Sequence, residues 1–467
     1  MSDAYIQSNG TANISNAGLL EKTANVGESY IDGNFTNTGT IAVNQGTLDV
    51  RYGNDQLAGT ITGPGLFGIS AGANATLDSG LVINVATFNI VNGNATLGSS
   101  FDLTDAVSLI GSGDIYLNGH NLTLAGPAAL EGTLTGPGTV IAGGTSVIDN
   151  NNLVETQGAV LVDAGVMNQD FYAYIGTLAG DSGGLVVNSG ATYDIRADVN
   201  ITQNGTANIS NAGLFEKTSD TGASVVEGNF TNTGTLNVAQ GQIDLENGTD
   251  SLSGLITGAG ALVIYSGAVA SLASTASLAI GDLSVAGNGS LALGGNTTLG
   301  NNFGMNNGTI ELNGHQLLVD GSAGLNGYLV GPGTLTVAGN GNVSGLNVIG
   351  GAVLEDKGTL TQDSYLSLGN GGTDTGTLVV DSGATYDLIA GTGISRPNVA
   401  LIANAGLFET SYYGFTSADG QFNNTGTIKV ATGGTLQLDY FSPQLGGTII
   451  GSGELVLNSD SPTFETG

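Results

Sequence analysis

Cysteine and tryptophan are absent from this 467-residue chain, and histidine occurs only twice. Without cysteine there is no disulfide stapling and no thiolate zinc site. Positive charge is nearly as scarce, with seven basic residues against 39 acidic ones and a formal net charge of −32. Lys22, Arg51, Arg196, Lys217, Lys357, Arg396 and Lys429 are scattered along the sequence. Nucleic acid, whose phosphates need clustered Lys and Arg, is therefore not expected as a partner. Long apolar runs are missing too, so no membrane insertion by this chain is expected. Its first residues, MSDAYIQSNG, lack the basic and apolar regions of a signal peptide, and SDSPTFETG carries no recognisable anchor. An export signal is expected to lie outside this chain. Helical periodicity is confined to AGLLEKT and AGLFEKT, each too short for more than one turn.

What remains is glycine, 80 residues of it, set among Ile, Val, Leu and Ala. There is no strict Gly-X-Y period, which excludes collagen, and regular aliphatic alternation between turns argues against a disordered Gly-rich chain. NFTNTGTIAVNQGTLDV (Asn34–Val50) returns as NFTNTGTLNVAQGQIDL (Asn229–Leu245) and as FNNTGTIKVATGGTLQL (Phe422–Leu438). Each copy reads turn, alternating strand, turn, alternating strand. Side chains alternate along a strand, so Ile41 and Val43 share one side and Leu48 and Val50 share another. Such a unit buries one row of aliphatics and needs another stacked upon it, as in a solenoid.

A longer period lies above the coil. NGTANISNAGLLEKT starts at Asn9 and NGTANISNAGLFEKT at Asn204, 195 residues later; LNGH recurs at Leu117 and Leu312, and LIANAGLFET opens a third copy at Leu401. The expected organisation is super-repeat 1 over 1–203, super-repeat 2 over 204–400 and a partial third over 401–467, forming one continuous solenoid. Gly-Pro corners in GTITGPG, GTLTGPG and YLVGPG are expected to separate short β runs. Asn37, Asn232 and Asn424 are expected at corners, tolerating left-handed geometry and stacking as hydrogen-bonded ladders. The fold class expected is all-β: a right-handed parallel β-helix of roughly twenty three-sided coils.

The AGLxEKT, FTNTGTIxV and GTLxL motifs resemble the β-helical passenger regions of bacterial autotransporters and of filamentous-haemagglutinin-like two-partner-secretion exoproteins. The resemblance implies an extracellular or bacterial cell-surface setting. It also implies a non-enzymatic role as adhesin stalk or biofilm-matrix rod. The partners implied are host or bacterial surface glycans or proteins, or copies of the chain end to end in a self-assembling filament. Polysaccharide binding or degradation is a further class that β-helices support. No secretion domain or translocator barrel of that family is recognisable in this sequence, so the resemblance leaves the secretion route open.

Candidate chemistry is sparse. GDSGG (Gly180–Gly184) looks like the nucleophile loop of a serine protease, but a triad also needs a His and an Asp. His120 and His315 sit in duplicated LNGH turns and read as turn residues. Clustered carboxylates of the kind glycoside hydrolysis requires are not apparent, and Asp49, Asp244 and Asp439 read as outward-facing strand residues. Thr pairs such as Thr60/Thr62, Thr133/Thr135 and Thr334/Thr336 are too sparse for an ice-binding face. Glu21/Lys22 and Glu216/Lys217 read as corner contacts. No cofactor is expected, with calcium the single exception considered: YGNDQLAG and NGTDSLSG place Asp55 and Asp250 in loops that echo a calcium-binding nonapeptide. Specific binding is expected where coil regularity breaks, around Val154–Gly176 and Gly391–Val399.

Overall fold

The computed structural model describes residues 4–8, 12–110, 113–149, 154–176, 180–203, 206–395, 400–439, 443–458 and 462–464. Two compact units are present, Met1–Gly241 and Gln242–Gly467. Among the described residues there is no helix, and parallel strands stack as a β-solenoid of about 21 turns. One turn shows how. Strands Asn13–Asn16, Leu19–Lys22 and Glu28–Asp32 form three sides. The next turn lays Asn34–Asn37, Thr40–Val43 and Thr47–Arg51 in parallel register on them. Backbone groups are thus satisfied by the neighbouring turn, and each side grows as a ladder of strands.

Alternation then sorts the side chains. Ile41, Val43 and Val50 are fully buried and Leu48 is 6% exposed, so the expected inward rows are the observed core. The FTNTGT motif has a physical reason at each position. Phe35 and Asn37 both point inward and are fully buried. Asn16 Nδ2 donates to Asn37 Oδ1 at 2.8 Å, and Asn37 donates in turn to the carbonyl of Ala58. The same amide pairs recur as Asn211–Asn232 at 2.7 Å and Asn404–Asn424 at 2.6 Å. Gly39 is fixed by closeness: a Cβ there would lie 2.2 Å from the carbonyl oxygen of Gly18 in the turn below.

Several expectations need correction. Asn37, Asn232 and Asn424 stack as expected but lie within strands; left-handed asparagines are instead Asn25, Asn92, Asn118, Asn247, Asn288, Asn307 and Asn313. Two of the Gly-Pro-Gly segments do not end strands, since Thr60–Ser70 and Gly132–Ala142 run through them. The turn below supplies hydrogen bonds on both sides of the irregularity, so the ladder absorbs it. Val154–Gly176 is not a loop: it holds strands Val154–Asp163, Val166–Gln169 and Ala173–Ile175. In Gly391–Val399, Ile394–Ser395 is a strand and 396–399 lie outside the described residues. AGLLEKT and AGLFEKT form strands, so Glu and Lys face opposite ways. Glu21 and Glu216 point outward and accept from Asn44 and Asn237, at 2.7 and 2.9 Å. Lys217 is fully buried, 2.8 Å from Asp198.

The long repeat does not return to the same side. In the first unit, Leu19–Lys22 belongs to the ladder of Thr40–Val43, Thr60 and Val82. Its copy, Leu214–Lys217, stacks on Thr192, Val166, Thr145 and Ala128, the ladder that holds Thr47–Arg51. Nine ladder steps carry Asn13–Asn16 to Ile201–Gln203, and the copy Asn208–Asn211 is the next side on. The 195-residue period is therefore nine turns plus one side. The second unit repeats this: Gln242–Glu246 and Thr435–Asp439 match in sequence but stand on different ladders.

Candidate functional site

The residues that would carry conventional chemistry are dispersed. GDSGG leads from a turn at Gly180 into the strand Gly184–Val187. His120 and His315 each close a tight turn in which both preceding residues, Asn and Gly, have positive φ. Their backbone N–H groups donate to Leu117 and Leu312 at 2.8 Å, the geometry that Asn-Gly favours. Among the described residues no three His, Cys, Asp or Glu side chains gather into a metal-binding group.

Asp55 and Asp250 are not in loops. They occupy the strands Asn54–Leu57 and Thr249–Leu252, point inward and are 1% exposed. Asp55 Oδ1 accepts from the backbone N–H of Phe35 at 3.0 Å, which caps the end of a ladder. Burial pushes its carboxyl up to about 7. Calcium takes six to eight oxygens, and a single inward carboxylate in an aliphatic core does not fit that requirement.

A duplicated buried device has no local signal in the sequence. Asp163 and Asp356 are fully buried, and each Oδ1 accepts from the N–H two residues on, Gly165 and Gly358, at 3.0 Å. Nearby, Tyr193 and Tyr386 are fully buried and donate to Gln169 and Gln362 at 2.9 and 2.7 Å. Burial raises Asp163 to about 6 and Asp356 to about 7. It also drives both phenols upward. These groups are closed off from solvent and act on the core alone.

The outer surface is more informative. On one side of the first unit, two columns of uncharged polar residues run across successive turns. Asn13, Asn34, Asn54, Asn74 and Asn94 form one; Ser15, Thr36, Gln56, Thr76 and Thr96 form the other. Asp114 and Tyr116 follow in the same registers. A shallow groove of about 390 Å³ lies along these columns. Neighbours are tied laterally: Asn13 donates to Thr36 at 3.1 Å, and Asn34 accepts from the N–H of Asn54 at 3.0 Å. Strand spacing sets a step of about 4.8 Å between like groups. Such a face offers donors and acceptors at a fixed interval with no net charge until Asp114. Its signal in sequence is the pair of identical NATL tetrapeptides at Asn74 and Asn94.

No protein-family model matches the chain, and no curated protein matches it either.

Proposed function

We propose that the protein is a non-enzymatic, bacterial secreted or cell-surface β-solenoid that serves as an adhesin stalk or biofilm-matrix component. The observation that carries this reading is the uncharged Asn and Thr column repeated over successive turns of the first unit. One amide–hydroxyl contact with a glycan or protein surface is weak, but many on one scaffold multiply through effective concentration. Its acidic charge keeps a long repetitive surface soluble and discourages edge aggregation.

The test is binding of the intact chain to surfaces coated with bacterial or host surface glycans at graded density. Multivalent attachment predicts retention that rises much faster than density. Retention proportional to density, or none on any surface, would count against it. Negative-stain microscopy separates isolated particles from end-to-end polymers, and polymers would replace the stalk by a self-assembling filament.

A further inference from the structure

The second unit contains a surface feature that its counterpart in the first unit lacks. Strands Gln242–Glu246, Leu255–Tyr265, Ser277–Ala286, Asn302–Asn306 and Ala323–Val330 bring five outward positions into one column: Asp244, Val263, Ser284, Gly304 and Gly324. Side chains shrink along the column until two successive turns present bare backbone. The result is a groove of about 530 Å³, with Tyr265 and Asn306 among its lining residues. Asp244 and Val263 face outward yet are only 8% and 7% exposed. Tyr265 packs its ring against the backbone of Gly287 and remains 41% exposed.

In the first unit the matching column reads Asp49, Gly68, Asn89, Ser108 and Ala129. There the space above Gly68 is taken by the Asp49 carboxylate, which a Cβ on Gly68 would meet at 2.0 Å. Ser70 replaces Tyr265 and lies 3.4 Å from Asp49 Oδ2. Coil formation therefore requires neither the glycine pair nor the tyrosine, since the same ladder forms without them.

We propose that the groove over Gly304 and Gly324 is a binding site for an uncharged polysaccharide chain, seated with one sugar ring against Tyr265. This rests on the reading of the protein as a surface-binding scaffold. A flat backbone floor lets a ring approach closely, and an aromatic face receives the apolar C–H side of a sugar. Asp244, Ser284 and Asn306 supply carboxylate, hydroxyl and amide partners for sugar hydroxyls along the edges. Asp244 stands in the column, and Asp282 and Glu246 occupy the outward registers on either side of it, so an anionic polymer would meet like charge. Five strands span roughly 19 Å, enough for several linked rings.

Affinity gel electrophoresis of the full chain, with dextran, laminarin, galactomannan or polygalacturonate cast in the gel, tests this. At least one neutral polymer should retard the wild type and polygalacturonate should not. Tyr265→Ala should weaken that retardation tenfold or more. Gly324→Leu should do the same by filling the groove; a Cβ at Gly324 meets nothing within 4 Å, so the fold tolerates it, and an unchanged circular dichroism melt verifies this. Ala129→Leu, on the matching column of the first unit, should bind as wild type. Unaltered retardation of both groove variants overturns the site while leaving multivalent attachment intact. Retardation by polygalacturonate alone, or by no neutral polymer, overturns it as well, and the graded-density experiment then decides the wider reading independently.

Discussion

Replacing Asp356 by Asn should weaken the chain's loss of stability in alkali. Asp356 has no solvent exposure, and its Oδ1 accepts from the Gly358 N–H at 3.0 Å. Burial is the largest influence and lifts the carboxyl from 3.8 to about 7; Asp381 adds to the rise, while the N–H groups of Gly358 and Leu360 oppose it. The folded chain thus holds this proton more tightly than the unfolded chain. Between about pH 4 and pH 7 the folded state binds more protons, so stability from this group grows on acidification and is lowest above pH 7. Each tenfold change in proton affinity is about 1.4 kcal/mol, which sets an upper bound of roughly 4 kcal/mol on the cost of ionised Asp356. Asn keeps an acceptor for Gly358 and cannot ionise, but its buried amide N–H group costs about 1–3 kcal/mol where it lacks a partner. The variant should therefore be more stable than wild type at pH 8 by about 1–3 kcal/mol and lose that advantage near pH 5. Urea midpoints followed by far-ultraviolet circular dichroism from pH 4.5 to 8.5 measure the difference. A wild-type-minus-variant gap that is the same at both ends would refute the reasoning.

Ile41→Asp should bury a charge in the aliphatic ladder and cost several kcal/mol, and an unchanged melting temperature would contradict the inward assignment. Gly39→Ala should cost about 1–3 kcal/mol through overpacking on Gly18, whereas Gly18→Ala, whose Cβ meets nothing within 4 Å, should be nearly silent in the same melt. Removing Asn74–Gly93 takes out one turn and joins Ala73 to the second NATL, so Asn94 meets Asn54 in register. That deletion should fold, losing about 1–3 kcal/mol in the urea midpoint because Phe67 no longer stacks on Phe88. A spectrum without strand signal would mean the register is wrong.

The core was legible because period-two alternation is a local property. Ile41, Val43, Leu48 and Val50 could be placed without knowing their neighbours. Asp55 could not, because its sequence surroundings, Gly-Asn-Asp, favour a turn. The turns above and below supply a ladder that outweighs that preference and draws the carboxylate inside. Glu216 and Lys217 failed for a related reason: adjacency suggests contact, but in a strand it guarantees opposite faces. The groove over Gly304 and Gly324 was invisible because its residues come from five strands about 20 residues apart, and only register brings them together. The NATL pair at Asn74 and Asn94 is visible in the sequence, and its 20-residue spacing equals one turn.

That contrast between 20 and 195 residues separates two kinds of repetition. All three sides of a coil are parallel ladders with one inward row, so a duplicated segment folds equally well on any of them provided its strand lengths and inward pattern match. Leu19–Lys22 and Leu214–Lys217 demonstrate this within one unit, on different ladders, with Leu20 and Phe215 both facing inward. A residue repeated at 195 therefore points in a new direction each time and cannot extend a stripe. Stripes arise only from turn-to-turn recurrence, as in the Asn and Thr columns, or from changes private to one copy, as at Tyr265, Gly304 and Gly324. Shared super-repeat motifs such as AGLxEKT and FTNTGT accordingly record what a coil needs in order to stack. Binding specificity has to be sought in positions the copies do not share.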